Sequence, residues 1–232
     1  MNFYVARPQG QRFGTRWAYA GDARPLIFDD SQGERCPVCG QHWGQRWWLP
    51  PHRITLSSAK PEKWGDFLWG TSFPFMVSGR FKALYESEGL SGITLFHPPA
   101  EIVRVGTRKT GDFPFAPPVY HLVVIRWDGA NLDDEVSRVV RKRIECSYHR
   151  GAVEAFERVV LEPGSWRGAD IFEARGLPGR IIVSQRFKEV VDKHQLKNIE
   201  LIPIEEHSYD VQRVIEEVGR LLRKDRPRRR SG

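Results

Sequence analysis

The sequence predicts an α+β protein built from two strand-helix-strand pseudo-repeats, joined by a shared pair of zinc knuckles and closed by a C-terminal amphipathic helix. Three observations lead there. Val77 to Leu95 (VSGRFKALYESEGLSGITL) and Val183 to Leu201 (VSQRFKEVVDKHQLKNIEL) align without gaps at 8 identities in 19 positions, where chance gives about one. Cys36-Pro37-Val38-Cys39 and Cys146-Ser147-Tyr148-His149 stand 110 positions apart, ligand type against ligand type. Upstream of each aligned block, Trp64-Gly65-Asp66-Phe67 faces Trp166-Arg167-Gly168-Ala169-Asp170-Ile171-Phe172. The expected division is a first lobe over 1–117, a second over 118–207, and the terminal helix with a basic tail over 208–232, the lobes packed as one body.

The first 60 residues are rich in Trp, Arg, Pro and Gly and show neither a period of 2 nor one of 3.6, so loops and short strands are expected there. In the first repeat Phe73 to Val77 reads as an extended run, followed by Ser78 where an N-cap belongs. Phe81, Leu84 and Tyr85 then form an i, i+3, i+4 stripe, Gly89 can end the helix, and Ile93 to Phe96 is a strand stopped before Pro98. The second repeat repeats the pattern: Arg180 to Val183, the cap Ser184, the stripe Phe187, Val190 and Val191, and the strand Ile199 to Ile202 before Pro203. Between them Val119 to Trp127, with its β-branched and aromatic residues, is the strongest strand signal in the chain. Leu132 to Ile144 suits helix and strand equally. Val211, Val214, Ile215, Val218, Leu221 and Leu222 share one face of a helix of about four turns.

Structural zinc takes four N or S donors in a tetrahedron, and a C-x-x-C turn presents two of them while its N–H groups face the sulfurs. Gly40 directly after Cys39 suits the positive φ of such a turn. One C-x-x-C alone would also fit a redox pair, but no strand is expected before Cys36 as a thioredoxin-like site requires. Cys36, Cys39, Cys146 and His149 would complete one site, and its filled shell would make it structural. Two alternatives stand beside this. Cys146 and His149 could be an ordinary buried cysteine and a surface histidine, and His42, in Cys36-x-x-Cys39-x-x-His42, competes with His149 for the fourth position.

With 232 residues and 40% hydrophobic content the chain can bury one large or two small cores. Three cysteines, two of them paired, suit metal ligation in a reducing compartment better than disulfides. No apolar run is long enough to span a bilayer and MNFYVARPQGQRFG has no signal-like stretch, so a cytoplasmic protein without membrane contact is expected. The net charge of +7 is concentrated at one end: Arg220, Arg223, Lys224, Arg226, Arg228, Arg229 and Arg230 face only Asp225. Such a tail can bind nucleic acid by counterion release, although a solvated terminus is the plainer expectation.

Arg80 and Arg186 sit in the first turn of the two expected helices, where the helix dipole disfavours a cation. Asp66 and Asp170 are their natural partners, which makes a salt bridge inside each repeat the favoured reading over catalysis or anion binding. The chain holds no G-x-S-x-G, H-E-x-x-H, Walker-type loop or G-x-G-x-x-G. No enzyme is expected.

Cys36-Pro37-Val38-Cys39-Gly40, the second knuckle at Cys146, Trp166 to Phe172, and Ile182-Val183-Ser184-Gln185-Arg186-Phe187 resemble the myxobacterial double-CXXCG motif family, and the likeness runs over nearly the whole chain. The resemblance implies a cytoplasmic immunity protein that neutralises a swarm-inhibition toxin, a cognate protein that would be encoded by an adjacent gene. The second motif departs from the family pattern, with His149 in place of the last cysteine and Arg150 in place of the glycine. A rival expectation, from a different class, is a zinc-ribbon protein that binds nucleic acid through the knuckles and the arginine tail.

Overall fold

The computed structural model describes residues 1–10, 16–72, 74–113, 115–144 and 146–212. The terminal helix expected from Val211 onward, and the basic tail, lie outside the described residues from position 213. The fold is mixed α+β, mostly short strands in open sheets, with two α-helices among the described residues.

The first 60 residues form β1 (Phe3–Arg7), β2 (Ala20–Asp22), β3 (Ile27–Asp29), β4 (Trp47–Leu49) and β5 (Arg53–Leu56) between loops. Next come β6 (Phe67–Leu68), β7 (Met76–Ser78), α1 (Gly79–Ser87), β8 (Ile93–Leu95), β9 (Glu101–Val105) and β10 (Arg108–Lys109). The strongest strand signal becomes β11 (Tyr120–Ile125), and β12 (Ala130–Asn131), β13 (Val140–Arg141) and β14 (Val153–Phe156) follow. The last part holds β15 (Ile171–Arg175), β16 (Ile181–Ser184), α2 (Gln185–His194), β17 (Glu200–Pro203) and β18 (Tyr209–Asp210).

Both serine caps form: Ser78 Oγ accepts the Phe81 N–H at 3.1 Å and Ser184 Oγ accepts the Phe187 N–H at 3.2 Å. The ambiguous stretch from Leu132 resolves into neither long element. Asp133 closes a single turn by accepting the Val136 and Ser137 N–H groups, and Arg138, at φ 53°, ends it before β13 begins.

Two sheets organise the molecule. One has the order β6-β7-β11-β8 and the other β12-β15-β16-β1-β17. In each, the strand before a helix and the strand after it are separated by a third strand antiparallel to both. β11 plays that part for α1, with Tyr120 opposite Ser78 and Val123 opposite Leu95. β1 plays it for α2, with Phe3 opposite Ser184 and Ala6 opposite Leu201. The strand from the first expected lobe thus completes the sheet of the second, and the strand following position 117 completes the sheet of the first. Chain order and spatial order cross here.

Period-2 alternation gives each central strand two buried faces. Phe67, Val77, Val123 and Ile125 meet Ile171, Ile181 and Val183 in a central core that also takes Phe81 from α1 and Phe187, Val190 and Val191 from α2. Their neighbours Leu68, Met76, Tyr120 and Leu122 turn to a second core with Trp48, Ile54, Leu56 and Val105, under the sheet β10-β9-β5-β2. Val5, Phe172, Ala174 and Ile182 face a third core with Leu132, Phe156 and Val159.

The expected ion pairs are present, Arg80 to Asp66 and Arg186 to Asp170, at 3.1 and 3.2 Å. Each aspartate also reaches across the junction. Asp66 accepts the Lys197 N–H at 2.9 Å, just past α2, while Asp170 accepts the Ser91 N–H at 3.0 Å, just past α1. The arginines cross too, Arg80 donating to the His194 carbonyl at 2.5 Å and Arg186 to the Glu88 carbonyl. Gly92 is required at this seam, because its φ is 105° and a Cβ there would lie 1.9 Å from the Ile171 carbonyl oxygen.

Two titratable groups in the second half, the buried Glu173 and the half-buried His207, work against each other. Burial holds the Glu173 carboxyl up to about 7 although the Gly179 N–H pulls it down, and burial, with Arg180 and Arg7, holds His207 down to about 4. From pH about 4.5 to about 7 the folded chain keeps a Glu173 proton that the unfolded chain has lost, so this group's contribution to stability falls as pH rises. From about 4 to 6.5 the unfolded chain holds a His207 proton that the folded chain lacks, and that contribution rises with pH. The stability of Glu173→Gln minus that of wild type, measured by urea unfolding, is therefore expected to climb between pH 4.5 and 7, approaching roughly 3 kcal/mol. A difference that stays flat would contradict the burial of an ionisable Glu173.

Candidate metal centre

The first knuckle sits at the tip of a narrow ribbon. Trp43 N–H donates to the Glu34 carbonyl, Cys36 N–H to that of Gln41, and Gly40 N–H back to that of Cys36 at 2.9 Å, with Gly40 at φ 72°. The second knuckle repeats the closing bond: Arg150 N–H donates to the Cys146 carbonyl, also at 2.9 Å. Arg150 itself adopts φ 65°, the left-handed conformation that glycine takes in the first knuckle. A side chain there costs about 1–2 kcal/mol. The Arg150 guanidinium offsets this by binding the Leu132 carbonyl at 2.6 Å, Asp134 at 3.0 Å and Glu162 at 2.9 Å.

The fold brings together all four residues that spacing singled out. One ligand atom from each of Cys36, Cys39, Cys146 and His149 lies within 4.8 Å of the other three, and Sγ of Cys36 and Cys146 are 3.7 Å apart. Cys36, Cys146 and His149 are buried and Cys39 is exposed. The expectation of a surface histidine fails at His149, which is fully buried with its ring stacked on Trp43 at 3.9 Å. His42 points elsewhere, its Nε2 lying 2.7 Å from the Gln32 carbonyl oxygen.

The donor set fits zinc. His149 Nδ1 faces the Gly151 N–H at 3.2 Å, whereas Nε2 is buried without a hydrogen-bond partner. Neither neutral tautomer satisfies both nitrogens, and a buried polar atom left unpaired costs about 1–3 kcal/mol. The N–H groups of Tyr148 and then His149 lower the Cys146 thiol below its usual value, which favours the thiolate. Cys39 is drawn down by the Gln41 N–H, but partial desolvation and the neighbouring Cys36 and Cys146 thiols leave it above its usual value. Three sulfurs and one imidazole would fill a tetrahedral shell, leaving no protein-free position for a reacting water, so the chemistry available to such a centre is cross-linking.

Sequence reasoning missed the residues that surround this cluster. Trp127 packs edge-on against Trp43 and Tyr148, Asp128 accepts the Tyr148 hydroxyl at 2.6 Å, and Glu34 accepts the Trp127 N–H at 3.0 Å. The only available signal was Asp128-Gly129, which marked the end of a strand. No protein-family model matches the chain and no curated protein matches it either. Among the described residues no helix is long and apolar enough to cross a membrane.

Proposed function

We propose that this chain is a non-enzymatic immunity protein, a duplicated α+β unit held together by one structural zinc, which binds and occludes a cognate toxin in the cytoplasm. The observation that carries the proposal is the equivalence of the two knuckles. The second motif departs from the double-CXXCG pattern at His149 and Arg150, yet His149 joins the three sulfurs and Arg150 keeps the backbone of Gly40. The duplication is supported by the shared strand order around α1 and α2 and by the reciprocal bonds of Asp66 and Asp170. A rigid scaffold of this kind suits stoichiometric binding, in which a few surface anchors carry the affinity.

The test is co-expression with the product of the adjacent gene in a sensitive host, scoring survival and co-purification together. Rescue with a stable one-to-one complex is expected. A harmless neighbour, or killing despite this protein, overturns the immunity function. The rival, nucleic-acid binding through the tail, draws on the seven cations from Arg220 to Arg230. It requires steeply salt-dependent binding to generic DNA or RNA that disappears when residues 223–232 are removed.

A further inference from the structure

We infer that the turn Trp127-Asp128 is the platform that positions both knuckles for metal, with Tyr148 and Asp128 as positioning residues of the centre; this rests on Cys36, Cys39, Cys146 and His149 being the ligands. The turn follows β11 and is fixed from several sides. Arg126 N–H donates to the Gly92 carbonyl at 3.0 Å, Glu173 N–H to that of Arg126 at 2.8 Å, and Gly129 N–H to that of Glu173 at 3.0 Å. Asp128 holds φ 61°, a conformation that aspartate tolerates better than most residues. A Cβ on Gly129 would lie 2.4 Å from that of Phe172, so the backbone here has no room to shift.

From this fixed point one residue serves each knuckle. Trp127 holds the first: its N–H binds Glu34, two positions before Cys36, and its ring meets Trp43, which in turn covers the imidazole of His149. Asp128 holds the second. Its Oδ2 accepts the Tyr148 hydroxyl at 2.6 Å and lies 3.2 Å from the Arg167 guanidinium, while Arg175 stacks 4.5 Å above the Tyr148 ring. Tyr148 is clamped at both ends, since its N–H donates to Cys146 Sγ at 3.4 Å. With Ser147 it separates Cys146 from His149. Four donors on two separate turns must otherwise be gathered at the moment of binding, and groups that orient ligands beforehand typically raise metal affinity about 10–100-fold.

The experiment uses the full chain and zinc itself. Affinity is measured by competition with a chromogenic chelator, ligand geometry by the visible spectrum of the Co²⁺-substituted protein, and stability by melting of the metal-free form. Tyr148→Phe, which removes one oxygen, is expected to weaken zinc binding about 10–100-fold and to alter the Co²⁺ spectrum while the metal-free melting temperature stays near wild type. Asp128→Asn should act in the same direction. Tyr4→Phe, which loses a hydroxyl bond to Gln185 in a different part of the fold, should leave affinity unchanged. If wild type binds zinc, Cys146→Ser does not, and Tyr148→Phe matches wild type, the positioning role is overturned while the ligand set stands. If wild type takes up no zinc, both fall.

Discussion

Cys146→Ser is expected to lose its metal and, with it, much of its soluble yield. The serine keeps the volume of the cysteine but not a thiolate donor, and Cys146 is the candidate ligand whose sulfur lies 3.7 Å from that of Cys36 across the two knuckles. Structural zinc contributes about 10–16 kcal/mol to folding where a small domain depends on it wholly. This protein also has three apolar cores, so only part of that amount is at stake. Even about 5 kcal/mol would lower the melting temperature by roughly 10–20 °C in a chain of this size. Cys39→Ser should do the same, and a strong chelator should reproduce the effect on wild type. Metal content by mass spectrometry should be one zinc per wild-type chain. A soluble, fully folded, zinc-free double variant would refute the staple.

Asp170→Ala should be nearly as damaging, although it touches no metal ligand. Asp170 is 3% exposed, and its carboxylate accepts the Ser184 hydroxyl at 2.7 Å, the Ser91 N–H at 3.0 Å and Arg186 at 3.2 Å. Removing it leaves a cap, a backbone N–H and a guanidinium without their shared acceptor. Arg186 is half exposed and can turn to water, so the cost falls mainly on the buried Ser184 hydroxyl and the freed Ser91 N–H, together about 2–4 kcal/mol, a fall of roughly 4–16 °C here. Asp66→Ala should behave alike, and the two together should be non-additive because they secure one seam from opposite sides. Were the repeated Asp and Arg catalytic instead, Asp170→Ala would abolish an activity and leave the melting temperature where it was. Thermal unfolding of the single variant separates the two.

The local elements were legible because each rests on near neighbours. Ser78 and Ser184 announced the helix starts, and Phe81, Phe187, Val190 and Val191 are buried as their spacing required. Leu84 and Tyr85 are only partly buried, since α1 has a weaker apolar face than α2. The four candidate ligands could be picked out by spacing alone, because knuckle chemistry is encoded within four consecutive residues. The residues around them could not. Trp43 and Trp127 belong to a tryptophan-rich chain in which an aromatic that covers a ligand looks like one that fills a core. Arg150 looked like a loss of the glycine turn, and only its contacts with Asp134 and Glu162 explain how it keeps that shape. Nor does any short-range signal say which sheet β1 enters, because its partners lie at the far end of the chain.

That crossing sets an order of events during synthesis. β11 follows β7 and β8 in the chain, so the sheet around α1 has all its strands once Ile125 has been made. β1 has no such convenience: Phe3 pairs with Ser184 and Tyr4 with Pro203. At about 5–20 residues per second, the growing polypeptide must carry an unmated strand for something like 10–35 s before its place exists. The last strand to dock is therefore made long before the two strands it docks between. A permuted gene that places the codons for β1 after those for β17 would remove the wait while keeping the strand order β16-β1-β17.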